Sequence, residues 1–177
     1  QYTQTISRSA DALLHIINDI LDLSKIEAGK LSLTIEPFEL KSLICDCVDL
    51  LAPQAGKKGI DLVTEISPAL PSQLQGDGLR VRQVLMNLTS NAIKFTPEGA
   101  VSLLLVLQKR EQDVELQFEV MDSGCGIRQD ELKLLFEDFC QLGAGKHHLS
   151  HGSGLGLSIC HKLTTLMGGK IWCEPAP

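Results

Sequence analysis

The stretch Asn87-Leu-Thr-Ser-Asn91-Ala-Ile-Lys94-Phe95 decides how the rest of this chain is read. Its polar residues recur at steps of four and three, and those positions are neighbours on one face of an α-helix, so Asn87, Asn91 and Lys94 converge. Such a face suits a hydrated magnesium triphosphate. Mg2+ keeps most of its waters and takes only one or two protein oxygens beside phosphate oxygens, so one Asn amide is sufficient, with Lys94 offsetting phosphate charge. Taken alone, two Asn on a helix are commonly a solvated face.

Two further segments ask for the same ligand. Asp122-Ser-Gly124-Cys-Gly126-Ile127 follows the alternating run Val114, Leu116, Phe118, Val120, which reads as a strand delivering Asp122 to its end. A carboxylate accepts but does not donate, which fits the exocyclic amine of adenine, and Gly124 and Gly126 permit a tight turn beside a flat ring. In Gly152-Ser153-Gly154-Leu155-Gly156-Leu157, glycines open a helical pattern that runs through Cys160, His161, Leu163 and Leu166. A helix that starts this way presents unpaired backbone N–H groups to phosphate. An Asp-Ser-Gly is usually just a turn and a lone Gly-x-Gly-x-Gly is more often a loop, so the weight lies on their order and on their common chemistry.

Outward from these segments, Leu31, Leu33 and Ile35 alternate as a strand, and residues 39–56 read as a helix despite Pro53. Ile60, Leu62, Thr64 and Ile66 give another strand, and residues 68–76 form a loop rich in breakers. Asp77 is placed to cap the helix carrying Asn87 and Asn91, and a hairpin turning near Gln112 joins Val101, Leu103, Leu105 and Leu107 to the strand before Asp122. The expected fold is α/β, a two-layer sandwich with helices on one face of a mixed sheet, preceded by a long helix. In that helix Ile6, Ala10, Leu13, Ile17 and Ile20 trace a heptad seam and Gly29 is the stop. One helix cannot bury such a seam alone; it pairs with a partner helix or another subunit, or it packs on its own chain.

Composition excludes several classes. At 177 residues and 44% hydrophobic the chain has enough apolar side chains for one substantial core. A formal charge of -6 with no run of Lys or Arg argues against a nucleic-acid surface. No segment has the apolar length of a bilayer span, and the polar start is no signal peptide, so a cytoplasmic setting is expected, with any anchor of the parent protein elsewhere. Six cysteines in a chain with this much core read as reduced thiols. Cys45 and Cys47 sit in a helical pattern and read as buried thiols rather than metal ligands, and Cys140 with His147, His148 and His151 is a better metal candidate within what reads as a Gly-, Ser- and His-rich lid.

In this order the three segments closely resemble the N, G1 and G2 boxes of sensor histidine kinases, within the wider ATP-binding family that includes gyrase, Hsp90 and MutL. Phe136-Glu-Asp-Phe139 matches the intervening F box, and Gly168-Gly169-Lys-Ile-Trp172 looks like the strand entry after G2. Residues 22–31, Asp-Leu-Ser-Lys-Ile-Glu-Ala-Gly-Lys-Leu, look like the end of the second dimerisation helix, in the style of hybrid kinases. The resemblance implies a Bergerat-type ATP-binding fold over residues 31–177, behind a partial dimerisation and phosphotransfer hairpin over residues 1–30. ATP and Mg2+ are the implied cofactors, with Asn87 and Lys94 as catalytic residues and Asn91 as the Mg2+ ligand. Nucleotide-binding positions carried over are Asn87, Asn91, Lys94, Phe95, Asp122, Gly124, Gly126, Ile127, Phe136, Lys146, Ser153 and the run from Gly152 to Leu157, including Gly154, Leu155 and Gly156. Implied partners are a second copy, through a four-helix bundle, the phosphoacceptor His helix, and a receiver domain or response regulator.

Three departures from the family pattern bear on function. The phosphoacceptor box is absent, which is expected if the chain begins downstream of it; His15 is no substitute, because it lies off the seam and is followed by Ile16-Ile17-Asn18-Asp19. At the other end Glu174-Pro-Ala-Pro177 stops before the Gly-x-Gly-Ser-x-Phe strand that usually completes the sheet, leaving an edge unpaired. Where hybrid kinases often place Arg near the γ-phosphate, this chain offers Lys146 and His148. Relatives that hydrolyse ATP carry a Glu base one turn before the magnesium Asn, and here that position is Asn87. Losing a general base forfeits about 10² to 10⁴ in rate, so transfer to a histidine fits better than hydrolysis. The alternatives are an ATPase or protein-serine kinase of the same superfamily, and a non-catalytic nucleotide-sensing module.

Overall fold

The computed structural model describes residues 2–109, 114–141 and 153–174. In chain order the elements are α1 (Tyr2–Glu27), β1 (Glu36–Phe38), α2 (Leu40–Lys58), β2 (Ile60–Ile66), β3 (Leu74–Gly76), α3 (Gly78–Phe95), β4 (Gly99–Lys109), β5 (Val114–Asp122), a 3-10 turn (Leu132–Leu134) and α4 (Gly156–Leu166). They fall into two compact units: Thr34–Ile127 with Cys173–Pro177, and Gln1–Leu33 with Arg128–Trp172.

In the unit from Thr34, β2 runs parallel to β4 and β5 runs antiparallel to it, a mixed sheet in the order β2-β4-β5. Register pairs Leu103 with Val120 and Leu105 with Phe118, so the odd positions of β4 share one face with the even positions of β5. That face carries the core. Leu40, Leu43, Ile44 and Cys47 of α2 meet Leu85 of α3 over Leu103 and Leu105. A second cluster joins Leu51, Ala55 and Ile60 to Ala92, Ile93 and Val101. Both helices therefore cover one face of a mixed sheet, the α/β arrangement expected, because the buried steps of three and four along α2 and α3 give each one apolar stripe. Pro53 is accommodated on the exposed side of α2, off the buried positions Leu51 and Ala55.

Two strand expectations are corrected. Residues 31–35 form no strand; the pairing starts at Glu36, where β1 joins β3 in a separate antiparallel ladder. The Thr34 N–H donates to Asp77 Oδ2 at 3.0 Å, so a side chain takes the bond that a neighbouring strand would take, and Ile35 is left 60% exposed. Residues 168–172 likewise have no ladder partner among the described residues. The loop before Asp77 also contains β3, which its breaker-rich composition concealed. The hairpin turn near Gln112 lies outside the described residues.

Asp77 caps α3 as the sequence indicates, with Oδ1 accepting from the Arg80 N–H at 3.0 Å. The opposite end is closed by Lys58, whose Nζ donates to the carbonyls of Ile93 (2.7 Å), Lys94 (2.7 Å) and Thr96 (3.0 Å). A lysine there satisfies acceptors that a helix end leaves without partners and complements the negative end of its dipole.

In the other unit, α1 ends as predicted at Gly29. The left-handed φ of +62° lets Gly29 N–H reach the Ile26 carbonyl and Lys30 N–H reach that of Lys25, both at 2.9 Å, a Schellman closure. Leu13, Ile17 and Ile20 of the seam are 58%, 43% and 45% exposed. Leu23 is the buried residue of α1 among its described side chains, on the side facing α4, which buries Leu155, Ile159, Cys160 and Leu163. The side chains of Ile6 and His15 lie outside the described residues.

Candidate nucleotide site

On α3, Asn87 and Asn91 are half-buried, and neither side-chain amide is hydrogen-bonded to another described residue. Lys94 is half-buried one turn on, with Nζ 4.8 Å from the centre of its neighbour Phe95's ring and no carboxylate within ion-pair distance among the described residues. Its desolvation pushes the ammonium pKa down. The Asn87 and Asn91 amides and the Lys94 ammonium thus lie on one helical face with no partner among the described residues, a donor set that fits phosphate oxygens and the waters of a hydrated cation.

The loop after β5 is built against the end of that helix. Asp122 Oδ1 accepts from the Gly124 N–H at 2.9 Å, an Asx turn that fixes the carboxylate, while the second oxygen has no partner among the described residues. Ser123 pins the loop to the start of β4: its Oγ accepts from Ala100 N–H at 3.0 Å and its N–H donates to the Ala100 carbonyl at 3.1 Å. Gly124 lies so close that an added Cβ would stand 2.8 Å from the Phe95 carbonyl oxygen and 2.7 Å from Asp122 Oδ1. The glycine is thus needed for close approach. Gly126 has φ +68° with open space around it, and Ile127 is 37% exposed, so the loop continues as a rim with an apolar edge.

The unit of α1 and α4 carries the remaining segments. Phe136 is half-buried with its ring 5.7 Å from that of His161. Phe139 is held at φ +60°, an unusual backbone for a bulky residue, and Gly154 (φ +72°) packs on it: a Cβ there would meet backbone atoms of Phe139 and Cys140 at 2.9–3.1 Å. Ser153 Oγ donates to Asp19 Oδ2 at 3.2 Å and accepts from the Leu155 N–H at 3.2 Å. α4 then begins with no side-chain cap, so the first-turn N–H groups of Gly156 and Leu157 point out of the helix toward any anion. Gly152, Lys146, His147, His148 and His151 lie outside the described residues.

Several residues that shape these segments escaped sequence reading. Lys162 Nζ donates to both oxygens of Asp138, at 2.9 and 2.7 Å, and to Glu27 Oε1 at 3.3 Å, joining α4 to the Phe136–Phe139 turn and to α1. The Lys162 hydrogen bond holds the Asp138 carboxyl below its ordinary value; for Lys162, desolvation pulls the other way and its two carboxylates outweigh it, so the ammonium is raised. A Lys in the middle of an amphipathic helix carries no such signal in a sequence. None of the six cysteines is in a disulfide, and Cys47 and Cys160 are buried; Cys45 is exposed, against the expectation that it is a buried thiol. Its position beside the buried stripe of α2, rather than on it, accounts for the difference. Among the described residues no group of three His, Cys, Asp or Glu side chains is arranged for a metal, and no helix is long and apolar enough to cross a membrane.

Residues 76–177 match the family model of histidine kinase-, DNA gyrase B-, and HSP90-like ATPases. The sensor histidine kinase GacS of Pseudomonas protegens is 44% identical over 177 residues, covering 99% of this chain and 19% of that protein. Among solved structures, full-length ShkA in complex with AMPPNP superposes with a TM-score of 0.78 at 31% identity, over 98% of this chain and 36% of that one. The histidine kinase ThkA, solved in complex with the response regulator TrrA, gives 0.63 at 26% identity, over 97% of this chain and 46% of ThkA. The chain belongs to the histidine kinase-, DNA gyrase B- and HSP90-like ATPase family, as an ATP-binding catalytic domain of the sensor histidine kinase kind. It spans about a fifth of the length of its curated bacterial relatives.

Proposed function

We propose that this chain is the catalytic part of a hybrid-type sensor histidine kinase of the cytoplasm, with residues 31–177 as the ATP domain and residues 1–30 as part of the dimerisation hairpin. The observation that carries it is the set of groups on α3 with no partner among the described residues, the Asn87 and Asn91 amides and the Lys94 ammonium, at the helix end against which the Asp122 loop is built. Bound ATP supplies a γ-phosphoryl group for transfer to a histidine nitrogen of an acceptor helix, from which it passes to a receiver Asp. Asn91 would hold Mg2+ through its amide oxygen, and Lys94 would neutralise phosphate charge. Asn87 orients without abstracting a proton, since an amide is no base. The free oxygen of Asp122 accepts from the adenine amine, and the uncapped amides of α4 with Ser153 donate to phosphate. Positioning and charge stabilisation suffice for phosphoryl transfer, so no general base need be supplied to water.

The test is transfer in trans. With labelled ATP and Mg2+, an added four-helix bundle bearing His-Glu-x-Arg-x-Pro-Leu should acquire an acid-labile, alkali-stable label while the chain itself, His15 included, stays unlabelled. Asp122→Asn should weaken ATP binding by about 1.5–3 kcal/mol, roughly ten- to 150-fold, with the fold intact. ATP binding without any transfer to such a bundle would leave only a nucleotide-sensing module, and calorimetry showing wild-type affinity in folded Asp122→Asn would remove the adenine assignment.

A further inference from the structure

Asp19, Leu23 and Glu27 stand at i, i+4 and i+8 on α1, which aligns them along one side of the helix. Two of them bond α4 or the segment that enters it, and the third is buried between them. Asp19 Oδ2 accepts from Ser153 Oγ at 3.2 Å, Leu23 is 7% exposed, and Glu27 Oε1 accepts from Lys162 at 3.3 Å. The seam residues Leu13, Ile17 and Ile20 lie roughly a quarter turn away at about 100° per residue. They are 43–58% exposed while the Asp19 side is docked, so the docking is a separate property of α1 and does not consume the seam.

We infer that the Asp19–Ser153 contact is a latch by which α1 opposes occupation of the phosphate loop, so that nucleotide binding and α1 docking are coupled. The inference rests on the ATP reading above, in which Ser153 and the first turn of α4 take phosphate. Ser153 has one hydroxyl proton, and here it is committed to a carboxylate; the same oxygen also takes the Leu155 N–H. A phosphate accepting from Ser153 must displace Asp19. The Glu27–Lys162 contact lies eight residues along and touches no part of the loop, so it holds α1 near without competing for the proton. By linkage, whatever factor docking costs the nucleotide, the nucleotide costs docking.

Titration of the whole chain with Mg-ATP by calorimetry tests this as a double-mutant cycle. Asp19→Ala should raise ATP affinity by about fivefold or more, within the usual range of coupling between sites. In a Ser153→Ala background the same substitution should change affinity less than twofold. Conversely, amide exchange over residues 19–27 should accelerate when Mg-ATP is added to wild type, and not when it is added to Asp19→Ala. Unchanged affinity in Asp19→Ala overturns the latch and leaves the ATP reading standing. An equal gain in both backgrounds assigns the effect to charge alone and overturns it too. Failure of both wild type and Asp19→Ala to bind ATP while folded removes the ATP reading, and the latch with it.

Discussion

Asn91 and Lys94 ride on a helix whose inner face is closed against a sheet, with Leu85, Ala92 and Ile93 buried, an Asp cap at one end and a Lys clasp at the other. Ser153 is held differently, by a carboxylate from α1 and by a glycine packed on a strained turn, with exchangeable ion pairs around Lys162. Apolar burial is indifferent to a ligand's charge, whereas a hydroxyl–carboxylate contact is directly opposed by an incoming phosphate. The Asn–Lys face is thus fixed by the core, while the Ser153 side chain is held by polar contacts of a kind that an anion can exchange.

The widest test of that contrast is a cavity in each unit. Ile93, wholly buried among Leu51, Ala55, Ala92 and Val101, should cost about 2–5 kcal/mol as Ile93→Ala, measured by urea unfolding. Leu23→Ala should cost the smaller amount, because α1 is exposed around it and can settle into the gap. An equal loss at Leu23 would show that the α1 unit is as firmly packed as the sheet and would break the comparison.

A finer test uses glycines of similar backbone. Gly154 (φ +72°) and Gly126 (φ +68°) both disfavour a Cβ, but only Gly154 has backbone within 3.1 Å of where it would stand. Gly126→Ala should lose roughly 1 kcal/mol of stability, the backbone cost alone. Gly154→Ala adds a displacement of the Phe139–Cys140 turn and should approach about 3 kcal/mol, toward the upper end for strained positions. Thermal unfolding of the two variants side by side sharpens the contrast, and parity between them would mean that the turn yields freely.

How much of this was legible before the structure depends on how local the cause is. The Asp77 cap, the Gly29 stop, the strand of residues 60–66 and the delivery of Asp122 by β5 all follow from contacts within a few residues, and each stands where the sequence puts it. Leu31, Leu33 and Ile35 alternate just as clearly, yet the Thr34 N–H is taken by Asp77, 43 residues on, and no periodicity reveals that. The same holds for the site. Asn87, Asn91 and Lys94 are brought to one face by helix spacing and were readable; the Lys58 clasp spans 35–38 residues and the Asp19–Ser153 contact 134, so neither leaves a local mark. Gly124 was readable as a turn residue, but not its approach to the Phe95 carbonyl.

The smallest expected effect is a pH dependence confined to the unit of α1 and α4. Asp138 has its folded pKa lowered, first by the Lys162 hydrogen bond, so the stability it contributes is fully present above the unfolded carboxyl value near about pH 4 and is lost as pH falls through the lower folded value. Lys162 is shifted the opposite way, so its share is present below the unfolded lysine value near about 10.4 and is lost only as pH rises through the folded one. Between those limits the pair is intact. Because both side chains are a quarter to a third exposed, screening keeps the contribution to about 1 kcal/mol or less. Urea midpoints of wild type and Asp138→Asn should therefore differ by a small constant amount from pH 5 to about 9, and converge as the wild-type carboxyl takes its proton in acid. Ile93→Ala, whose loss is apolar, should instead stay parallel to wild type across the same range. If the Asp138→Asn difference persists undiminished at pH 2, the pair acts through packing rather than charge, and the two units are held by more similar means than their contacts indicate.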